Sequence, residues 1–190
     1  RPTTTIHFQY ETSLGNIFNN TNYIVEACED ETEYILTAWC ALQQIAEEEG
    51  WEIDYTDYGT DMGIFVNSVT STIGHHGFPS FFVNYEWSPT GLSAHDLVEG
   101  EHILLSSDIL PLKINTDEQN FLANSTIILN AKEPGFEGYE PTWFDSPSTT
   151  FHINNTEFFE DDGILELELT TSTYQIFISK NGFIDSEVFS

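Results

Sequence analysis

Thr37-Ala38-Trp39-Cys40-Ala41-Leu42-Gln43-Gln44-Ile45-Ala46-Glu47-Glu48-Glu49-Gly50 is the stretch whose reading decides the fold. Trp39, Leu42, Ile45 and Ala46 recur at helical spacing, which gives a helix one apolar face. Thr37 is suited to the N-cap, because its hydroxyl can accept from an amide left free in the first turn. Gly50 suits the left-handed position that ends a helix. Glu47, Glu48 and Glu49 sit at the end where the helix dipole disfavours anions, so a solvated polar end is expected there. No other stretch carries this pattern, and everything around it reads as strand.

Upstream, Thr3 to Tyr10 alternates, with Ile6, Phe8 and Tyr10 on one face and His7 and Gln9 on the other. It contains no Pro or Gly. Such a segment can complete its own sheet or be donated into a neighbour's, which makes Ile6, Phe8 and Tyr10 a candidate assembly strand. Asn22 to Glu26 is a second strand. Downstream, Trp51 to Tyr55, Ile64 to Val69, Phe78 to Trp87 and His102 to Ser107 are β-like, punctuated by glycines. Pro111 opens a new segment. From there Leu112 to Asn115, Ser125 to Asn130, Thr149 to Ile153, Gly163 to Thr170 and Thr173 to Ser179 read as strands at sandwich-like spacing. A boundary near residue 110 is expected, dividing the chain into 1–110 and 111–190.

The 190 residues carry 32 Asp plus Glu against 4 Lys plus Arg, a net charge of −28. A surface this anionic repels phosphate backbones and acidic headgroups, so nucleic acid and anionic membranes are not its partners. With 39% hydrophobic and 14% aromatic residues, the chain can bury a core despite its charge. No apolar run approaches the roughly 18 residues of a transmembrane span. The chain starts Arg1-Pro2 rather than with Met, which points to processing and, most simply, to a removed signal peptide. In an exported protein Cys28 and Cys40 read as one disulfide; in a reducing compartment they would be buried free thiols. Asn19, Asn124 and Asn154 each begin an Asn-X-Ser/Thr sequon in a polar stretch and are the candidate glycan positions.

Residues 32–107 resemble the transcobalamin-like C-terminal domain family, a small β-grasp-type domain of exported proteins. Four motifs carry the resemblance in order: Thr37-Ala38-Trp39-Cys40-Ala41-Leu42, Gly63-Ile64-Phe65-Val66-Asn67-Ser68-Val69, Phe81-Phe82-Val83-Asn84 and Gly100-Glu101-His102-Ile103-Leu104. Tyr85 stands where the family usually has glycine, and Glu101 where it has Asp. Residues 111–190 are similar to small transthyretin-like or carboxypeptidase-regulatory-like β-sandwiches, through Asp161-Asp162-Gly163, Tyr174-Gln175-Ile176 and Lys180-Asn181-Gly182-Phe183. The resemblances imply a mostly β chain: a β-grasp-like domain with one helix, then a small β-sandwich. In the vitamin-B12 carriers the related domain closes over cobalamin with a helical barrel. This chain has one clear helix and no barrel, so a corrinoid is not its expected ligand.

Among chemical sites, Glu160, Asp161 and Asp162 before Gly163 have the oxygens that Ca2+ wants, yet Asp-Gly is equally a hairpin turn. His75-His76 lacks metal-ligand spacing, and Asp54, Asp57 and Asp61 do not fit an EF-hand. No Gly-x-Ser-x-Gly, phosphate loop or His-Glu-x-x-His occurs, so no enzymatic activity is expected. The expected function is that of an exported structural or adhesive cell-surface protein that self-associates into a filament or surface layer, or joins other surface proteins. The alternative is a binding module for a sugar or other small molecule, with Trp51, Trp87 and Tyr85 lining its groove.

Overall fold

A computed structural model describes residues 1–30, 33–116, 125–138, 140–170 and 173–188. The chain is mostly β with several sheets, and it divides into two compact units, Arg1–Asp108 and Ile109–Ser190. Each has its own hydrophobic core.

The first unit runs β1 (Thr3–Thr12), β2 (Gly15–Glu26), β3 (Cys28–Asp30), β4 (Glu33–Ile35), α1 (Ala38–Glu49), β5 (Glu52–Asp57), β6 (Ile64–Ser71), β7 (Gly74–Gly77), β8 (Ser80–Val83), β9 (Glu86–Trp87) and β10 (His102–Ser107). Five strands form one sheet in the order β2-β1-β10-β8-β9. β1 lies parallel to β10 and antiparallel to β2, and β10 is antiparallel to β8. The first and last strands therefore sit side by side at the centre with one helix over them, a β-grasp-like arrangement. β5, β6 and β7 make a separate antiparallel meander.

The helix forms where the sequence places it. Thr37 Oγ1 accepts from the Cys40 amide at 3.4 Å, and Gly50 closes the helix at φ 70°. Leu42 and Ile45 are buried in one core with Ile6, Phe8 and Tyr10 of β1 and Ile103 and Leu105 of β10. Gln44 reaches back from α1 and bonds both the amide and the carbonyl of Glu26, tying the helix to the end of β2.

Of the two places open to Thr3 to Tyr10, the strand takes the one in its own sheet, and two other expectations change. β1 has same-chain partners on both edges, and Ile6, Phe8 and Tyr10 are buried in their own core. Tyr10 further anchors the strand through its hydroxyl, 2.9 Å from Ser107 Oγ. Withdrawing β1 would open that core, in which Ile6, Phe8 and Tyr10 are all buried. The second strand begins at Gly15, well before Asn22. Its polar run 19–22 is exposed throughout, as suits the sheet's edge. The expected strand Phe78 to Trp87 is broken into β8 and β9 by a turn at Asn84 and Tyr85, both with positive φ (49° and 62°).

The second unit holds β11 (Leu110–Pro111), β12 (Lys113–Thr116), β13 (Thr126–Glu137), β14 (Glu140–Asp145), β15 (Thr149–Ile153), β16 (Thr156–Glu160), β17 (Ile164–Glu168), β18 (Ile176–Ser179) and β19 (Phe183–Ile184). The long β13 pairs with β12, β14 and β17. A second sheet runs β16-β15-β18. Ile127, Leu129, Ala131 and Leu165 of the first sheet share a core with Phe151, Ile153, Ile176 and Ile178 of the second, a small sandwich. β11 and β19 form a short parallel pair.

Gly91 sits where the chain packs flush on β6: a Cβ there would come within 2.3 Å of the Ile64 carbonyl oxygen. Gly91→Ala should therefore destabilise the protein by about 1–3 kcal/mol in urea unfolding, the usual cost of overpacking. Gly77→Ala, with open space around its Cβ, should stay within about 0.5 kcal/mol of the parent. Equal stabilities for the two variants would contradict the packing described.

Candidate ligand-binding groove

Two periodicities meet along one flank of α1. Trp39, Gln43, Ala46 and Glu47 form a stripe at helical spacing, and Ile53 and Tyr55 lie on one face of β5. With Trp51 they line a groove of about 340 Å3. The rings of Trp39 and Tyr55 are 4.8 Å apart and tilted by 59°. Trp51 packs edge-on against Tyr10 and Phe18, so the core holds it from behind. Trp39 and Trp51 are nearly buried, whereas Tyr55 is 48% exposed and forms the outer lip. Tyr55 is aimed by a bulge in β6, where the ladder skips Asn67. The Asn67 side chain bonds Asp54 and Thr56, which fall on the other face of β5.

Trp39 and Gln43 also line an adjoining cavity of about 550 Å3. Its walls include Cys28, Glu29 and Ile35 of the β3–β4 hairpin, Asp57 and Gly59 after Tyr55, and Ser93 and Asp96. A disulfide joins Cys28 to Cys40, with their Cα atoms 5.7 Å apart, and ties that hairpin to the first turn of α1. The far wall is held by the loop before β10. Ser93 Oγ accepts from the Ile64 amide at 2.9 Å, and the Leu97 amide donates to the Leu36 carbonyl.

Of the three aromatics expected to share a groove, Trp51 alone lines this one. Trp87 pairs with Phe82, and their rings are 4.9 Å apart. Phe82 pairs with Leu104, which alternates along β10 with the core residues Ile103 and Leu105. Trp87 therefore belongs to the opposite face of the sheet from Trp51. Tyr85 packs edge-on to His102, again away from Trp51. Trp39 and Tyr55 take the places intended for them.

Glu160 ends β16, and Asp161 and Asp162 form the turn that leads to β17. Asp162 Oδ1 accepts from the Ile164 amide, and the Asp161 carbonyl accepts from Ser148. Gly163 has φ 74°, and a Cβ on it would meet the Ser146 carbonyl oxygen at 2.2 Å. Among the described residues no three His, Cys, Asp or Glu side chains converge as metal ligands. Asn19 is exposed on β2, and its Oδ1 lies 2.7 Å from His7 Nε2. Asn154 is exposed in the β15–β16 turn, where its Oδ1 accepts from the Gln175 amide. Asn124 lies outside the described residues. His75 and His76 fall on β7 and point apart, His75 outward and His76 buried beside Tyr10.

Two clusters escaped the sequence reading. His7 and His102 are directly opposite in the β1–β10 ladder, and their rings stack at 3.9 Å, 6° from parallel. His102 Nε2 lies 3.1 Å from Gln9 Oε1. Burial, with a contribution from His7, lowers the His102 pKa to about 3. In the second unit Lys180 Nζ donates to Glu133 Oε2 at 2.5 Å, while buried Ser146 donates to the same oxygen at 2.8 Å. Both clusters join residues far apart in sequence, and only strand register could have shown them.

The disulfide closes a short loop, so reducing it should cost roughly 3 kcal/mol of unfolding free energy. Intact thiol reactivity of both cysteines in the unfolded, unreduced chain would contradict the bond. The His102 pKa is about 3 in the fold against an ordinary 6.5, so the unfolded chain binds the proton first as pH falls. Above pH 6.5 this residue adds no pH dependence; from there down to about 3 it removes stability. His102→Gln should lose less stability than the parent between pH 7 and 4, by up to about 1.4 kcal/mol per pH unit. Parallel stability curves for the two proteins would refute this.

Compared with known protein families, with curated proteins and with solved structures, the chain has no match in any of the three.

Proposed function

We propose that this chain is an exported, non-enzymatic adhesive module of the cell surface that holds a small ligand in the groove between α1 and β5. One observation carries the reading: Trp39, Trp51 and Tyr55 converge on a concave surface with the polar side chains of Gln43 and Glu47. A concave site lined by aromatic rings with a few polar groups is the usual form of a small-molecule site. The Cys28–Cys40 disulfide favours an oxidising compartment, and among the described residues no helix is long and apolar enough to cross a membrane. The proposed kinship of residues 32–107 with the transcobalamin-like C-terminal domain family is supported by the element order. Its four motifs start α1 and run through β6, β8 and β10. Glycans at Asn19 and Asn154 belong to the same proposal.

A second reading, a subunit that self-associates, is favoured by β2. This edge strand is 12 residues long and carries Ile24 at 62% exposure. Edges of that kind pair with other chains unless covered. Light scattering at rising salt separates the two readings: growth in mass supports assembly through the edge, and a constant monomer mass removes it.

The groove is tested by tryptophan fluorescence against a panel of neutral sugars and small organic ions. A saturable change should appear with at least one of them. Tyr55→Ala, at the exposed lip, should weaken it about tenfold or more while leaving the circular dichroism unchanged. No response across the panel at millimolar concentrations would overturn the binding reading.

A further inference from the structure

The groove has a chemical bias that narrows its ligand, an inference that rests on the binding reading above. Its polar lining is dominated by acceptors. Glu47 lies beside the aromatic half, and Glu29, Asp57 and Asp96 line the adjoining half. No lysine or arginine lines either half. Arg1 is the sole Lys or Arg of residues 1–108, and its guanidinium lies over the Tyr34 ring, 5.8 Å from the centroid. Two hydroxyls of the lining already hold backbone amides. Thr37 Oγ1 accepts from Cys40, and Ser93 Oγ accepts from Ile64. The rings add to the bias, because an aromatic face presents negative charge to whatever lies on it.

An anionic ligand would meet four carboxylates and no counter-charge. A bare metal ion would need several converging oxygens, and no such cluster exists among the described residues. A cation with an apolar body satisfies both halves of the lining. Its alkyl surface meets the rings of Trp39, Trp51 and Tyr55, and its charge meets the π faces and Glu47. We propose that the groove binds an organic ammonium ion, with its charged head against Trp39 and Tyr55 and Glu47 as its counter-ion.

The tilted pair of Trp39 and Tyr55 forms two walls of a corner, and Trp51 lies along the same groove. Aromatic corners of this kind recognise quaternary ammonium groups, which shed their hydration more cheaply than small inorganic cations. Glu47 is exposed on the last turn of α1. There the helix dipole opposes its negative charge, and a bound cation would relieve that opposition.

The test is isothermal titration of the full chain with three probes. They are choline, its neutral isostere in which a quaternary carbon replaces the nitrogen, and a neutral disaccharide. Choline should bind saturably, and the isostere should bind about tenfold more weakly or not at all, since it keeps the shape and loses the charge. Glu47→Gln and Tyr55→Ala, both at exposed positions, should each weaken choline about three- to tenfold. Sodium chloride at about 0.5 M should weaken it further through screening. Equal binding of choline and its isostere would overturn the proposal, as would choline binding indifferent to both substitutions. Binding of the disaccharide without choline would overturn the cation and leave the groove's binding role standing. Silence from all three probes would overturn the cation proposal, and the wider panel would then decide the groove itself.

Discussion

The parallel pairing of β1 with β10 is the contact on which the first unit depends. Phe8 and Tyr10 on one strand and Ile103 and Leu105 on the other make the apolar floor that α1 covers. The Tyr10–Ser107 hydrogen bond and the stacked histidines fix the register on the two faces of that pair. A one-residue slip would turn every one of these side chains to the wrong face. The helix lies where it does because this floor is the apolar surface offered to Leu42 and Ile45.

The groove follows from that placement. α1 buries Leu42 and Ile45 on the sheet, so Trp39, Gln43 and Glu47 fall along its flank. β5 leaves the helix through Gly50 and turns back beside it, bringing Tyr55 opposite Trp39. The disulfide secures the other rim by tying the β3–β4 hairpin to the helix start. Core, helix and rim are thus successive consequences of one central strand pair, and the aromatic surface is a by-product of helix geometry that chemistry can use.

Local patterns were readable in the sequence and long-range pairings were not. α1 was legible from Thr37, the apolar stripe and Gly50, because capping and periodicity are decided within a few residues. The inward face of β1 was legible for the same reason. Its place at the centre of the sheet was not, since its partner β10 lies at the far end of the unit. The aromatic groove was half legible. Trp51 lines it as expected, but Trp87 and Tyr85, expected beside it, do not. Which face Trp87 takes depends on the pairing of Phe82 with Leu104, and composition carries no trace of that. Tyr55 was read only as a strand residue, since its approach to Trp39 depends on a bulge at Asn67.

The central position of β1 also constrains the order of events when the chain folds. A strand near the start of the unit can settle only when one from its end has arrived, so the contacts that define the sheet span most of the unit's length. Proteins built on such distant pairings have high contact order and fold slowly. As the chain emerges from its N-terminal side, β1 and β2 can form a hairpin, but the second edge of β1 stays unpaired, and the apolar floor incomplete, until residues 102–107 appear. During that interval the excess of carboxylates keeps growing chains apart by mutual repulsion. The charge that makes the folded surface so anionic is then also a guard on the unfinished one.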